Sequence, residues 1–191
     1  MPRRRQPILA DHVYHLTNQG HNRDNIYISK ENFRFFMDRL CEYVLGAHAE
    51  LFAYVLMPNH YHLLVHILTD DFGEAYRRFS ISYAKSFNKV FGRVGSLYRG
   101  RFTSHLVYDE AYLHRVSRYI HINPVKDGFV SRPDEWPYSS YSDYVTSCGS
   151  GLANPWPVLS GFGNLSTPQG IAQARQAYRL YVAEWRRSGD V

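Results

Sequence analysis

The sequence predicts an α+β fold of ferredoxin-like type, with helices packed on one antiparallel sheet. Three observations carry that expectation. Hydrophobic periodicity switches between two and 3.6 in the order strand, helix, strand, strand, helix, strand, helix. Two apolar runs, 51–57 and 60–68, flank a Pro58-Asn59 turn and read as a hairpin. After the hairpin, Phe72, Tyr76, Phe79, Tyr83, Phe87 and Phe91 recur in three- and four-residue steps, the stripe of a helix that returns across the sheet.

In chain order, residues 12–17 alternate well enough for a first strand, and the polar run 18–25 follows as a loop. Ser29 suits an N-cap for a helix carrying Phe33, Phe36, Met37, Leu40, Cys41 and Val44. Asp70 and Asp71 open the second helix, where two acids complement the positive end of the dipole. Residues 102–108 read as another strand. Asp109 then caps a third helix over 110–122, which Pro124 is expected to end. Residues 133–144 are rich in Trp, Tyr and Ser, and 147–168 are rich in Gly, Ser, Asn and Pro and read as irregular. Thr167-Pro168 starts a last helix with Ile171, Ala174, Tyr178, Tyr181, Val182 and Trp185 on one face. That face should dock on the body, and the loop before it is expected to cover the active site.

Composition narrows the class. Apolar content of 45% excludes a disordered chain, and the net charge of +5 suits a polyanionic partner. The distribution of charge says more than the total. Arg77, Arg78, Lys85, Lys89, Arg93, Arg99 and Arg101 fall between residues 75 and 105 without one acid among them, which reads as a phosphate-contacting surface. The 16 tyrosines offer packing, or faces on which bases stack. Two cysteines make no disulfide scaffold, and neither a spanning segment nor a signal peptide is visible. The expectation is a cytoplasmic, nucleoid-associated protein with no membrane partner.

The chemistry concentrates in Met57-Pro58-Asn59-His60-Tyr61-His62-Leu63-Leu64-Val65. Strand alternation sends His60 and His62 to one face, about 6–7 Å apart, where both can hold one metal ion. The third helix carries Arg118-Tyr119-Ile120-His121-Ile122-Asn123-Pro124-Val125. Tyr119 and Asn123 are four apart and share an edge, while Val116 and Ile120 can anchor the helix. Tyr119 offers a phenol oxygen, which needs a metal or a base to act as a nucleophile. Asn123 offers a carbonyl oxygen as a third ligand, or Asn-Pro serves only as a helix stop.

These two motifs, in this order, resemble those of the single-tyrosine HUH transposases, above all the REP-associated tyrosine transposases. The resemblance runs from about Val13 through Tyr144 and takes in Leu97-Tyr98-Arg99-Gly100-Arg101-Phe102 and the segment 135–141. It implies an HUH nuclease domain over 1–145, followed by a tail with a helix over 146–191. It also implies that His60 and His62 hold a divalent cation, Mg²⁺ or Mn²⁺, against the scissile phosphate of single-stranded or hairpin DNA. Tyr119 would attack, leaving a 5′-phosphotyrosine and a free 3′-hydroxyl, with no nucleotide cofactor. Insertion-sequence relatives commonly have Gln where this chain has Asn123, and Asn is common in the REP-associated branch. The resemblance leaves monomer or homodimer open. Two rival readings are a hairpin-binding protein without catalysis and a metal-dependent phosphodiesterase that uses water.

Overall fold

In this computed structural model, residues 7–147 and 149–185 are described; the basic arm 1–5 and Cys148 lie outside them. The chain forms β1 (Val13–Gln19), α1 (Lys30–Tyr43), β2 (Ala49–Met57), β3 (His60–Ile67), α2 (Phe72–Val90), β4 (Thr103–Val107) and α3 (Glu110–Lys126). Then come α4 (Tyr141–Val145), α5 (Trp156–Leu159) and α6 (Pro168–Ala183). The sheet order is β2-β3-β1-β4 with every neighbour antiparallel, which is the ferredoxin-like arrangement.

Both faces of this sheet are covered, and strand alternation sorts the residues between them. Tyr61, Leu63, Val65 and Ile67 of β3 join Tyr14 and Leu16 of β1 under the aromatic stripes of α1 and α2. Leu64 faces the other way, with Val55 and Met57, toward Val116 and Ile120 of α3. The β2–β3 register slips between Leu51 and Ala53, so the consecutive Phe52 and Ala53 both serve this second face. An apolar run buried on both sides results, which is why 51–57 shows no polar alternation.

Capping chemistry fixes the helix starts. Ser29 and Asn32 form a reciprocal capping box at α1, and the Asp109 carboxylate accepts from Tyr112 N–H at α3. The end of α3 differs from the sequence expectation. Pro124 lies inside the helix, which runs on to Lys126. Proline gives up the bond to the Ile120 carbonyl and crowds that carbonyl with its ring, though its fixed φ is itself helical. Ile120, Ile122, Asn123 and Pro124 are all buried, so packing holds the last turn in place. Backbone bonds from Asp127 N–H to Asn123 and from Phe129 N–H to Pro124 close it. Asn-Pro is therefore no helix stop here.

The C-terminal segment docks on the α3 side of the sheet. Ala174, Tyr178 and Val182 of α6 are buried, Tyr178 and Val182 beside Tyr144, Val158 and Leu159; Ile171, Tyr181 and Trp185 are half-buried. The short turns at 156–162 were not legible as structure in the sequence. His121 on α3 is fully buried and bonds Tyr178 Oη at 2.7 Å and Ser140 Oγ at 2.9 Å, tying α3, α4 and α6 together. Tyr178→Phe should leave His121 Nδ1 without its partner in the core, while Ser117 keeps its bond to the His114 carbonyl. A loss of about 1–3 kcal/mol in urea unfolding is expected, and an unchanged midpoint would show that the hydroxyl carries no weight. Among the described residues no helix is long and apolar enough to cross a membrane.

Candidate active site

The site forms where the hairpin turn, the end of β1, the 99–101 loop and α3 meet. Gly20 allows a close approach: a Cβ there would collide with the Asp24 carbonyl, so the chain can turn tightly after β1. Leu97 and Tyr98 plug into the core while Arg99 N–H bonds the Gln19 carbonyl and His21 N–H bonds that of Leu97. Asn18, itself buried, donates to the Gly100 carbonyl. This anchoring turns a glycine-containing loop into a fixed wall carrying Arg99 and Arg101. The resulting cleft, about 570 Å³, is lined by Thr17, Asn18, Gln19, His60, His62, Arg99, Gly100, Arg101, Thr103 and Tyr119. No acidic side chain is among them, so the cleft favours anions.

His60 and His62 share the face, as alternation requires, with ring centroids 5.1 Å apart. Tyr119 stands edge-on to His62 at 5.2 Å. Asn123 Oδ1 lies 3.3 Å from His60 Nε2 and the residue is 2% exposed. All four residues thus converge within one chain.

The protons around His60 can be assigned. Asn59 Nδ2 donates to the Arg23 carbonyl, which leaves Asn59 Oδ1 to accept from His60 Nδ1 at 2.7 Å. A neutral His60 therefore carries its proton on Nδ1, and its Nε2 lone pair faces the Asn123 carbonyl oxygen. A cation beside them, or a flip of the Asn123 amide that turns Nδ2 toward the ring, relieves this pair of acceptors. Burial lowers the pKa of His60, against smaller opposite pulls from Asp127 and Asn123. It lowers that of His62 further, with help from His15, His60 and Lys126. Both rings are neutral at pH 7 and offer lone pairs. Two imidazoles and an amide oxygen, all uncharged, fit a borderline divalent ion that also takes phosphate oxygens. Among the described residues no three His, Cys, Asp or Glu side chains are placed to hold one metal ion, so a third protein ligand would have to be another group, the Asn123 amide.

Tyr119 is half-buried, and burial first, then Asp127, raises its pKa, with Asn123 pulling the other way. Lys126 Nζ sits 4.8 Å from the ring centroid. The Tyr119 side chain is thus a protonated phenol at rest.

The basic residues divide by position. Arg99 and Arg101 line the cleft. Arg77 and Arg101 border a neighbouring apolar hollow beside Phe102 and Ile81, and Arg77 is held bidentate by Glu74. Arg93 pairs with Asp24 at 3.1 Å. Arg78, Lys85 and Lys89 are exposed on α2 and line neither cavity. Among the described residues none after Tyr119 lines the cleft, so the expected covering of the site by the 147–168 loop is not what the structure has. That loop is spent on the far end of β2, where it walls a larger hollow of about 750 Å³. The carboxylates of that hollow are engaged, Asp143 with Ser150 and Gly151, and Glu50 with Asn154. The site residues that sequence reasoning missed are Thr17, Asn18, Gln19 and Thr103; His15, which could be read as a site-lining residue of the first strand, lies behind His62 rather than in the cleft wall. Those four arrive through strand register, Thr17 opposite both His62 and Thr103.

Among known proteins, no family model matches the sequence. A protein of Haemophilus influenzae described as a REP-associated tyrosine transposase is 30% identical over 145 residues, covering 68% of this chain and 79% of that one. A REP-associated tyrosine transposase of Escherichia coli is 33% identical over 95 residues, 48% of this chain and 54% of that one. In three dimensions the chain is similar to a REP-associated tyrosine transposase solved bound to a REP hairpin. That match has a TM-score of 0.62 and 24% identity, and it covers 81% of this chain and 90% of the other. This likeness supports the fold, a four-stranded antiparallel HUH-type sheet with helices on it. With the extent of the sequence match, it makes the chain a member of the REP-associated tyrosine transposase family.

Proposed function

We propose that the protein cuts and rejoins single-stranded or hairpin DNA of the REP type through a covalent link to Tyr119. The observation that carries this reading is the convergence of Tyr119, His60 and His62 at one acid-free cleft walled by Arg99 and Arg101, with the buried Asn123 amide 3.3 Å from His60. In this reading the strand crosses the arginine wall and its scissile phosphate rests between the histidines and the tyrosine. The Tyr119 oxygen bonds to phosphorus, the bond from phosphorus to the 3′ oxygen breaks, and the phenolic proton leaves. The departing oxygen ends as a 3′-hydroxyl, and the 5′ side stays on the protein as a phosphotyrosine. Attack by a 3′-hydroxyl on that link reverses the step and joins strands. One phosphoester replaces another, so no nucleotide cofactor enters.

His60, His62 and Asn123 would hold Mg²⁺ or Mn²⁺, which supplies charge neutralisation and orientation at the phosphate. Because burial keeps the phenol protonated, attack depends on that neutralisation. Tyr119 meets the histidines of its own chain, so the proposed cleaving unit is a single copy. The raised Tyr119 pKa is also what a water-using phosphodiesterase with a structural tyrosine would have. Incubating the protein with a single-stranded hairpin and Mn²⁺, then running a denaturing gel, decides among the three readings. A covalent adduct supports the proposal, cleavage with no adduct assigns the attack to water, and binding without cleavage leaves a hairpin-binding protein.

The arginine wall gives a separate prediction. Arg99→Ala with Arg101→Ala should weaken binding across all sequences and reduce the salt slope by about one unit for each lost phosphate contact. An unchanged slope would assign both arginines to the fold.

A further inference from the structure

Each of the two cleft histidines is gripped at the ring nitrogen that faces the protein. For His60 the grip is Asn59 Oδ1 on Nδ1. For His62 it is another histidine: His15 Nε2 lies 3.0 Å from His62 Nδ1, and the rings stack with centroids 5.1 Å apart and planes 26° from parallel. His15 comes from β1, where Thr17 is the residue opposite His62, so the two imidazoles are diagonal neighbours on one face. His15 is 9% exposed and His62 8%, which leaves little room for water to replace the contact.

One proton is shared in this nitrogen–nitrogen contact, and its position decides what His62 can do. With the proton on His15 Nε2, His62 accepts at Nδ1 and carries its own proton on Nε2, which cannot then bind a cation. With the proton on His62 Nδ1, His15 Nε2 accepts and His62 Nε2 is a bare lone pair. We propose that His15 is a positioning residue of the cation site, accepting the Nδ1 proton of His62 so that Nε2 is presented to the metal. Ligating histidines are commonly held this way by a carboxylate or a carbonyl. A neutral imidazole does the same here without adding negative charge beside a phosphate. This inference rests on the cation reading of His60 and His62.

The test is Mn²⁺ binding by the full chain without DNA, followed by calorimetry, with thermal midpoints measured alongside. His15→Phe keeps the ring volume and removes the acceptor, so Mn²⁺ should bind about 10–100-fold more weakly. His15→Gln can place an amide oxygen where Nε2 was, and should stay within about threefold of the parent. Mn²⁺ affinity unchanged in His15→Phe but lost in His62→Ala would overturn the role of His15 alone. Affinity equal in the parent and His62→Ala would overturn the cation reading, and this inference with it. Should His15→Phe fail to fold, ¹⁵N spectra of the parent loaded with diamagnetic Zn²⁺ decide instead. A proton directly bonded to His62 Nδ1, with a coupling across the hydrogen bond to His15 Nε2, supports the proposal; a proton on His15 Nε2, or no coupling, overturns it.

Discussion

Tyr119→Phe is expected to bind hairpin DNA as the parent does, to form no covalent adduct and to lose cleavage by roughly 10⁴-fold or more, as enzymes do when a nucleophile is removed. The substitution deletes one oxygen and keeps the ring. That ring remains edge-on to His62 and under Lys126, so packing changes little. The residue is half-buried, and a fold-supporting hydroxyl would instead show as a stability loss of about 0.5–1.5 kcal/mol with activity kept. The neighbouring tyrosines serve as controls. Tyr108 is exposed and stacks on Tyr112 at 4.9 Å at the start of α3. Tyr138 stacks on Phe33 at 3.6 Å, packed with the α1 and α2 side of the sheet and away from the cleft. An adduct that survives in Tyr119→Phe and disappears in the Tyr108 or Tyr112 variant would move the nucleophile. Cleavage surviving in every one of them would assign the attack to water.

His60→Ala or His62→Ala should lower cleavage at least about 100-fold, beyond the 10–100-fold typical of a partner outside the ligand set. Hairpin affinity should stay close to the parent's, because in the proposed reading it would come from phosphate contacts made elsewhere, at Arg99 and Arg101. Chelation of divalent ions should have the same effect on the parent and none on the double variant. Asn123→Ala should fall between the parent and the histidine variants, since it removes the oxygen facing His60 Nε2 and leaves both rings held at Nδ1. Undiminished cleavage by the double alanine variant in excess chelator would remove the cation from the mechanism.

The hairpin, its two histidines on one face, the helix stripes and the caps at Ser29, Asp109 and Thr167 could all be read from the chain. Each depends on neighbours within about four residues, the range over which pleat, turn and helix periodicity act. The pairing of Tyr119 with Asn123 on one helix edge was legible for the same reason. The end of α3 was not, because local chemistry at Pro124 was overruled by burial of the turn around it. Only that burial made Asn123 an inward-facing amide within 3.3 Å of His60.

Charge was legible as a run of basic residues but not as a surface. Arg99 and Arg101 flank the cleft because Asn18 and Gln19 hold their loop, whereas Arg93 is tied to Asp24 and Arg77 to Glu74. The His15–His62 contact and the two threonines depend on the register of β1 between β3 and β4, set by residues about 50 and 90 positions away in the chain. Local spacing along the chain set which groups meet at the site: two imidazoles at strand spacing, a phenol and an amide at helix spacing, and a basic stretch without acids. Tertiary structure alone decided which nitrogen of each imidazole is left open and which arginines face it. Those outcomes depend on strand register and core packing, where contacts form between residues far apart in the chain and no local pattern records them.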